Sequence, residues 1–238
     1  MRSAPYLLLC CLLLLVSGQA PAPTGGTITG EVEYDKNGTI LTAPKDTKDI
    51  WVYLEDQKRS RTLPGKGVTA TITQKGRQFS PKVLVVPLGA TVQFPNKDSE
   101  PHNVFSPPVG SDAQWDLGRH GPKVLPVKKL LELNAYEIYC DLHMEMRANI
   151  KVVPSRYFVA VKNGKYTFAN IPPGRYKVGA WAPGSDDVHS DVITVVAGAT
   201  TVVPLLNPHW GALSSVHLRA DGTPYPPGGV YKPPPSTP

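Results

Sequence analysis

Cysteine is scarce: the 238 residues hold three. Cys10 and Cys11 lie together near the N-terminus, so Cys140 stands alone in the rest of the chain. A disulfide framework is excluded for any product that loses its first twenty residues. Long helical periodicity is lacking too, which argues against a helical bundle. Beyond residue 16 no apolar run is long enough for a membrane span. No Ser-His-Asp, paired-carboxylate or phosphate-loop arrangement is present, so nothing marks hydrolytic or phosphoryl-transfer chemistry, and the chain is not read as an enzyme. A strong charge of one sign is also missing, with 25 Lys and Arg against 19 Asp and Glu. The basic residues Lys58, Arg59 and Arg61 sit beside Gly and Pro without interleaved aromatics, so nucleic-acid binding is not expected.

The N-terminus supplies what the rest lacks. In "MRSAPYLLLCCLLLLVSGQAPAPT", Arg2 gives a positive start, residues 6–16 an apolar run, and Ser17-Gly18-Gln19-Ala20 a small-residue cleavage site. Residues 1–20 therefore read as a cleaved signal peptide, too short for a span, which places the mature chain in the periplasm or outside the cell. Its removal takes one arginine and lowers the formal charge from +6 to about +5. A single cysteine in an oxidising compartment is a partner thiol, an inert buried thiol or a metal ligand.

Pro and Gly punctuate the chain. Between them recur short alternating or β-branched runs such as "TITGEVEY", "IWVYLED", "KVLVVPL", "ATVQFPN", "YEIYCD", "NIKVV" and "DVITVVAG". Many short strands at this spacing predict an all-β sandwich architecture. "VKKLLELNAY" alone could form a helical turn, and residues 208–238 read as an extended Pro/Gly-rich tail. Asn37-Gly38-Thr39 matches a glycosylation sequon.

The lone cysteine lies in "YCDLHMEM", residues 139–146. Cys140, His143 and Met146 combine a thiolate, an imidazole and a thioether at a constant spacing. A type 1 copper site needs two imidazoles and a thiolate with a weak axial thioether. His102, in "FPNKDSEPHNVFSP", supplies the second imidazole, and Asn103 beside it can brace the loop by hydrogen bonds. Met144 offers another thioether and, in an extended loop, would point the same way as Met146. His120, in "WDLGRHGPK", reads as a loop residue. The six histidines include no His-x-His pair, which excludes a trinuclear copper cluster, and one cysteine excludes a dinuclear copper A centre.

Residues 67–153 resemble the cupredoxins, the family of plastocyanin and amicyanin. The likeness runs through Phe79, Pro81, Leu84, Val86, Gly89, Val92, Phe94 and Asn96, then the His102-Asn103 pair, "YEIYC" at 136–140, the short Cys-x-x-His-x-x-Met loop and "RANIKVV". It implies a Greek-key sandwich holding one type 1 copper, with His102, Cys140 and His143 as strong ligands and Met146 axial. Asn134 stands where the family turns on glycine, and a left-handed Asn there would preserve the turn.

"NGKYTFANIPPGRYKV", residues 163–178, resembles the carboxypeptidase-regulatory, transthyretin-like sandwich, with Pro172-Pro173-Gly174 as a turn in which Gly174 can take positive φ. Its opening strands would be Ile28 to Val32 and Trp51 to Leu54, so residues 27–58 and 158–207 would form one small sandwich split around the cupredoxin. Together these features describe an exported one-electron carrier serving a redox partner such as an exported cytochrome, with His143 as the electron exit inside an apolar patch of Pro107, Pro108, Val109 and Met144. The alternatives are a copper carrier or scavenger, and a surface interaction module with incidental copper.

Overall fold

The computed structural model describes residues 24–36, 39–41, 49–58, 63–107, 115–210, 219–220 and 223–224. The signal-peptide segment, Asn37, Gly38, Arg59, Arg61, Pro108, Val109 and most of the 208–238 tail lie outside them. Among the described residues there is no helix; every regular element is a strand.

Four of the six sheets among the described residues stack face to face. The first joins Lys165–Ile171, Gly26–Glu31 and Thr200–Val202. The second carries Phe158–Ala160, Trp51–Asp56, Gly174–Trp181 and Val188–His189, with Ile193–Val195 also on Gly174–Trp181. The third runs Trp115–His120, His102–Ser106, Ala135–Tyr139, Arg147–Val153 and Val83–Pro87. The fourth holds Val127–Lys129, Thr91–Gln93 and Thr69–Thr71.

Three apolar layers fill the gaps. Ile28, Phe168 and Ile171 meet Val52, Leu54 and Val178 between the first two sheets. Val86, Val104, Ile138, Ile150 and Val92 pack between the last two. Tyr53, Trp181, Val85 and Val153 close the central seam, with Trp51, Val83, Ala135 and Phe158 against them.

Strand alternation explains the seam. In Trp51–Asp56, Val52 and Leu54 face one core while Trp51 and Tyr53 face the other. In Val83–Pro87, Val86 and Val85 divide the same way. A strand in an inner sheet buries both faces, so it reads as a continuous apolar run. Gly179 lies opposite Tyr53. A Cβ there would meet the Tyr53 ring at 2.3 Å, so only glycine lets the ring lie across the strand.

The seam also holds one cation. Lys151 is 5 % exposed. Its Nζ pairs with Asp187 and lies 5.9 Å from the Tyr53 ring centre and 5.8 Å from that of Trp181. Tyr53 donates to the other Asp187 oxygen at 2.9 Å. Burial, then the Asp187 charge, pushes the Tyr53 phenol up, so it remains a donor. A buried charge needs such partners, because water no longer solvates it.

Three local expectations change. The "VKKLLELNAY" stretch contains the strand Val127–Lys129, not a helical turn. Its backbone is taken by Thr91–Gln93, and Leu130 exchanges bonds with Gly89 and Ala90 at 2.7 and 2.9 Å. Asn134 is not left-handed; the non-glycine residues that are, among those described, are Arg77, Asn163 and Asn170. Asn134 instead accepts the Ala135 amide on its side chain at 2.8 Å. In the Pro172-Pro173 turn the left-handed residue is Asn170, with φ of 57°, and Gly174 has no positive φ.

Trp181→Ala should empty the seam and cost about 3–5 kcal/mol. Calorimetry should then show the chain melting well below the unsubstituted protein, and an unchanged melting temperature would show that the seam does not hold the sheets together.

Candidate metal centre

Two segments deliver the donors. His102 opens the strand His102–Ser106, all of whose residues are buried. Cys140 directly follows Ala135–Tyr139, and His143 and Met146 come before Arg147–Val153 begins. Those two strands are antiparallel neighbours with Tyr139 opposite Arg147, so residues 140–146 close a loop between them. The Cys140 amide donates to the Met146 carbonyl at 3.3 Å, and the Met146 amide to the His143 carbonyl at 3.1 Å. Phe105 pairs with Tyr139, which brings the His102 strand alongside.

His102 Nδ1 lies 3.2 Å from His143 Nδ1, and Cys140 Sγ lies 3.7 Å from His143 Nδ1. The ligand atoms of the three residues fall within 4.8 Å of one another, and all three residues are buried. An ion with nitrogen bonds of roughly 2 Å and a sulfur bond of roughly 2.3 Å sets N···N about 3.3 Å and N···S about 3.6 Å apart at tetrahedral angles. The donors are spaced for one such ion. Met146 is fully buried in the apolar cluster that contains Cys140, whereas Met144 is 45 % exposed. The loop turns instead of extending, so the two thioethers part company.

The thiol sits among donors. The amides of Asn103 and Leu142 each point at Sγ from 3.4 Å. Burial pushes the Cys140 thiol up, and these amides pull it back. Bound metal holds such a thiol as thiolate. Asn103 also ties the two ligand segments together: its Oδ1 accepts from the Asp141 amide at 3.1 Å, and its Nδ2 donates to Asp116 at 2.7 Å.

The outer nitrogens of both imidazoles meet carboxylates that sequence reading passed over. His102 Nε2 is 2.9 Å from Asp98, and His143 Nε2 is 3.6 Å from Glu100. Burial pushes the Asp98 carboxyl up, but the amides of Gly76 and Arg77 and the His102 ring together hold it down at about 2. The Arg77 guanidinium holds Glu100 below the usual carboxylate range. Burial, followed by the His102 ring, pushes His143 down and favours the neutral imidazole a metal requires. A carboxylate four residues before His102 was the one signal available.

His120 is not a loop residue. It ends Trp115–His120, pairs with His102 across the ladder and is buried. Its Nδ1 lies 3.0 Å from the Gly118 carbonyl and its Nε2 is 2.9 Å from Gln74 Nε2. The tail also does more than extend: Arg219 Nε and the Ala220 amide both reach Asp141 at 3.2 Å, and Arg119 grips its other oxygen at 2.7 Å. Asp141 follows Cys140, so residues 219–220 of the tail dock on the ligand loop, while His209–Trp210 form a short strand parallel to Tyr34–Lys36. The sequence placed His143 in an apolar patch; of that patch Pro107 is half-buried, and the ring's outer nitrogen faces the ionic Glu100.

Residues 50–152 match the family model described as "Cupredoxin-like domain". The match begins ahead of the 67–153 span read from the sequence and takes in Trp51–Asp56, a strand of the second sheet. No curated protein matches the chain. Among solved structures, the chain is similar to a Cu-containing nitrite reductase from Thermus scotoductus SA-01, with 24 % identity, a TM-score of 0.34, and 36 % of this chain and 22 % of that one covered. It spans about a fifth of that protein. It is also similar to a purple cupredoxin from Nitrosopumilus maritimus, with 24 % identity, a TM-score of 0.32, and coverage of 35 % and 99 %. A reduced Cu(I) form of an amicyanin mutant shows 19 % identity, a TM-score of 0.34, and coverage of 42 % and 99 %.

Asn103→Ala leaves the backbone amide on Sγ but cuts the ties to Asp141 and Asp116. Metal affinity should fall roughly 10- to 100-fold. Competition titration with a chelator of known affinity measures this, and an unchanged constant would show that the ligand segments are held together without Asn103.

Proposed function

We propose that this chain is an exported mononuclear type 1 copper protein that carries single electrons between redox partners and is not itself an enzyme. The observation that carries the reading is the convergence of His102 Nδ1, His143 Nδ1 and Cys140 Sγ in a buried pocket, at spacings suited to one ion. Two imidazoles, one thiolate and a buried methionine form the soft and borderline set that suits copper in either oxidation state. Met146 is the axial candidate because it shares the buried cluster with Cys140. Copper held there would supply one-electron exchange.

The chain's own residues do the rest. Asn103 and Leu142 amides direct hydrogen bonds at the sulfur, which disperses thiolate charge. Asp98 fixes the face of the His102 ring, leaving Nδ1 for the metal. Burial excludes water, so little solvent has to reorganise when charge changes. The leader-like N-terminus supports export to the periplasm or beyond. The partner would be another exported redox protein, such as a cytochrome. The transthyretin-like reading of 27–58 and 158–207 belongs to the same proposal: a sandwich that stiffens or positions the copper domain.

Three variants test the ligand set. Cys140→Ala should abolish the intense visible absorption of the Cu(II)-loaded protein while its β-sheet circular dichroism persists; a retained band would remove Cys140 from the site. In voltammetry, Met146→Leu should raise the reduction potential by withdrawing a donor that favours Cu(II), and Met144→Leu should barely change it. The reverse order would make Met144 the axial ligand.

A further inference from the structure

The short strands Thr73–Gln74 and Phe79–Ser80 pair antiparallel and are joined by a tight turn. Lys75 and Gln78 exchange backbone bonds at 3.0 and 3.2 Å, and the two residues between them are both left-handed, Gly76 at φ 61° and Arg77 at φ 55°. That is the hairpin geometry which usually recruits Asn, Asp or Gly at both central positions. Glycine fills one of them without strain. Arginine in the other is unusual, and a side chain held left-handed marks a position over-determined by its surroundings.

Those surroundings are the outer rim of the metal centre. The amides of Gly76 and Arg77 donate to the two Asp98 oxygens at 2.7 and 3.1 Å. The Arg77 guanidinium grips Glu100 through Nε at 2.7 Å and Nη2 at 2.9 Å. The Asn96 side chain folds the intervening segment, donating to the Glu100 carbonyl and accepting the Asp98 amide, each at 2.9 Å. One turn thus secures both carboxylates that face the imidazoles, Asp98 at His102 and Glu100 at His143. Arg77 and Glu100 are themselves 45 % and 35 % exposed, so their pairing adds little to folding. Its distinctive effect falls on the His143 ring, whose Nε2 lies 3.6 Å from Glu100.

We propose that the turn at residues 75–78, through Arg77 and Glu100, is a polar cap that fixes the His143 ring and closes the metal centre to small external anions. The inference rests on the copper reading of the site. Arg77 is a positioning residue, acting on the imidazole only through Glu100. The cap also sets a charge balance beside the metal. The Glu100 anion favours the higher oxidation state, and Arg77 partly cancels it.

The test uses the full mature chain and three variants. Arg77→Gly keeps the left-handed turn and its amides but drops the guanidinium, Arg77→Lys keeps a cation, and Glu100→Gln drops the anion. Azide is titrated against the Cu(II)-loaded proteins and followed by visible and electron paramagnetic resonance spectra. Unsubstituted protein should respond weakly, Arg77→Gly and Glu100→Gln at azide concentrations about tenfold lower, and Arg77→Lys in between. The ratio of Cu(II) to Cu(I) affinity should rise about threefold in Arg77→Gly and fall about threefold in Glu100→Gln, since one bares the anion and the other removes it. Equal azide responses, or ratios moving in the same direction, overturn the cap. In metal-free protein the His143 ring NMR signals should move in Arg77→Gly and Glu100→Gln and return towards the original in Arg77→Lys; unmoved signals overturn it independently of copper. Unsubstituted protein that takes up no copper overturns the copper reading alone, and the ring signals still decide the cap.

Discussion

The strand Arg147–Val153 has to bury both of its faces, and the rest of the molecule is arranged around that constraint. Ala148, Ile150 and Val152 point into the core shared with the fourth sheet. Val153 and Lys151 point the other way, into the seam against Tyr53 and Trp181. Its neighbours are fixed by the same demand: antiparallel Ala135–Tyr139 on one side, parallel Val83–Pro87 on the other. Because the strand begins immediately after Met146, whatever holds it also holds the end of the ligand loop. Packing in the seam and placement of the donors are therefore joined through one piece of backbone.

Burial sets the terms at the metal centre as well. A thiol and two imidazoles inside a protein each need hydrogen-bond partners or a metal. Here the inner atoms face one another and the outer atoms face protein groups. Amides meet the sulfur, Asp98 meets His102, and Glu100 stands opposite His143. Ring orientation follows from this division, because a nitrogen engaged with a carboxylate leaves its counterpart for the metal. Charges that look like ordinary surface residues, Arg77, Arg119 and Arg219 among them, complete the arrangement by gripping the carboxylates nearest the ligand segments.

Some of this was legible in the residue order. The β-runs, the turn signals, and the set of His102, Cys140, His143 and Met146 stand out because each depends on local pattern: alternation, punctuation, or the short Cys-x-x-His-x-x-Met spacing. Asn103 could be picked out as a brace because it adjoins His102, a candidate metal donor. Elsewhere local pattern misled. "VKKLLELNAY" has apolar spacing compatible with a helical turn, yet an available sheet edge took its backbone. His120 lies between glycines in sequence, yet ladder pairing carried it to the side of His102.

The sequence by itself determined the strand-rich character and the short loop that carries Cys140, His143 and Met146 together, since these arise from neighbours a few residues apart. Only the tertiary structure decided which methionine is buried, which carboxylates face the rings, and that Lys151 and Asp187 meet across a seam. Those outcomes depend on residues far apart in the chain, such as Arg77 with Glu100, Arg219 with Asp141 and Tyr53 with Asp187. A charged side chain carries no local mark of its partner. The partner is selected only when packing of the apolar faces has fixed where the backbone runs.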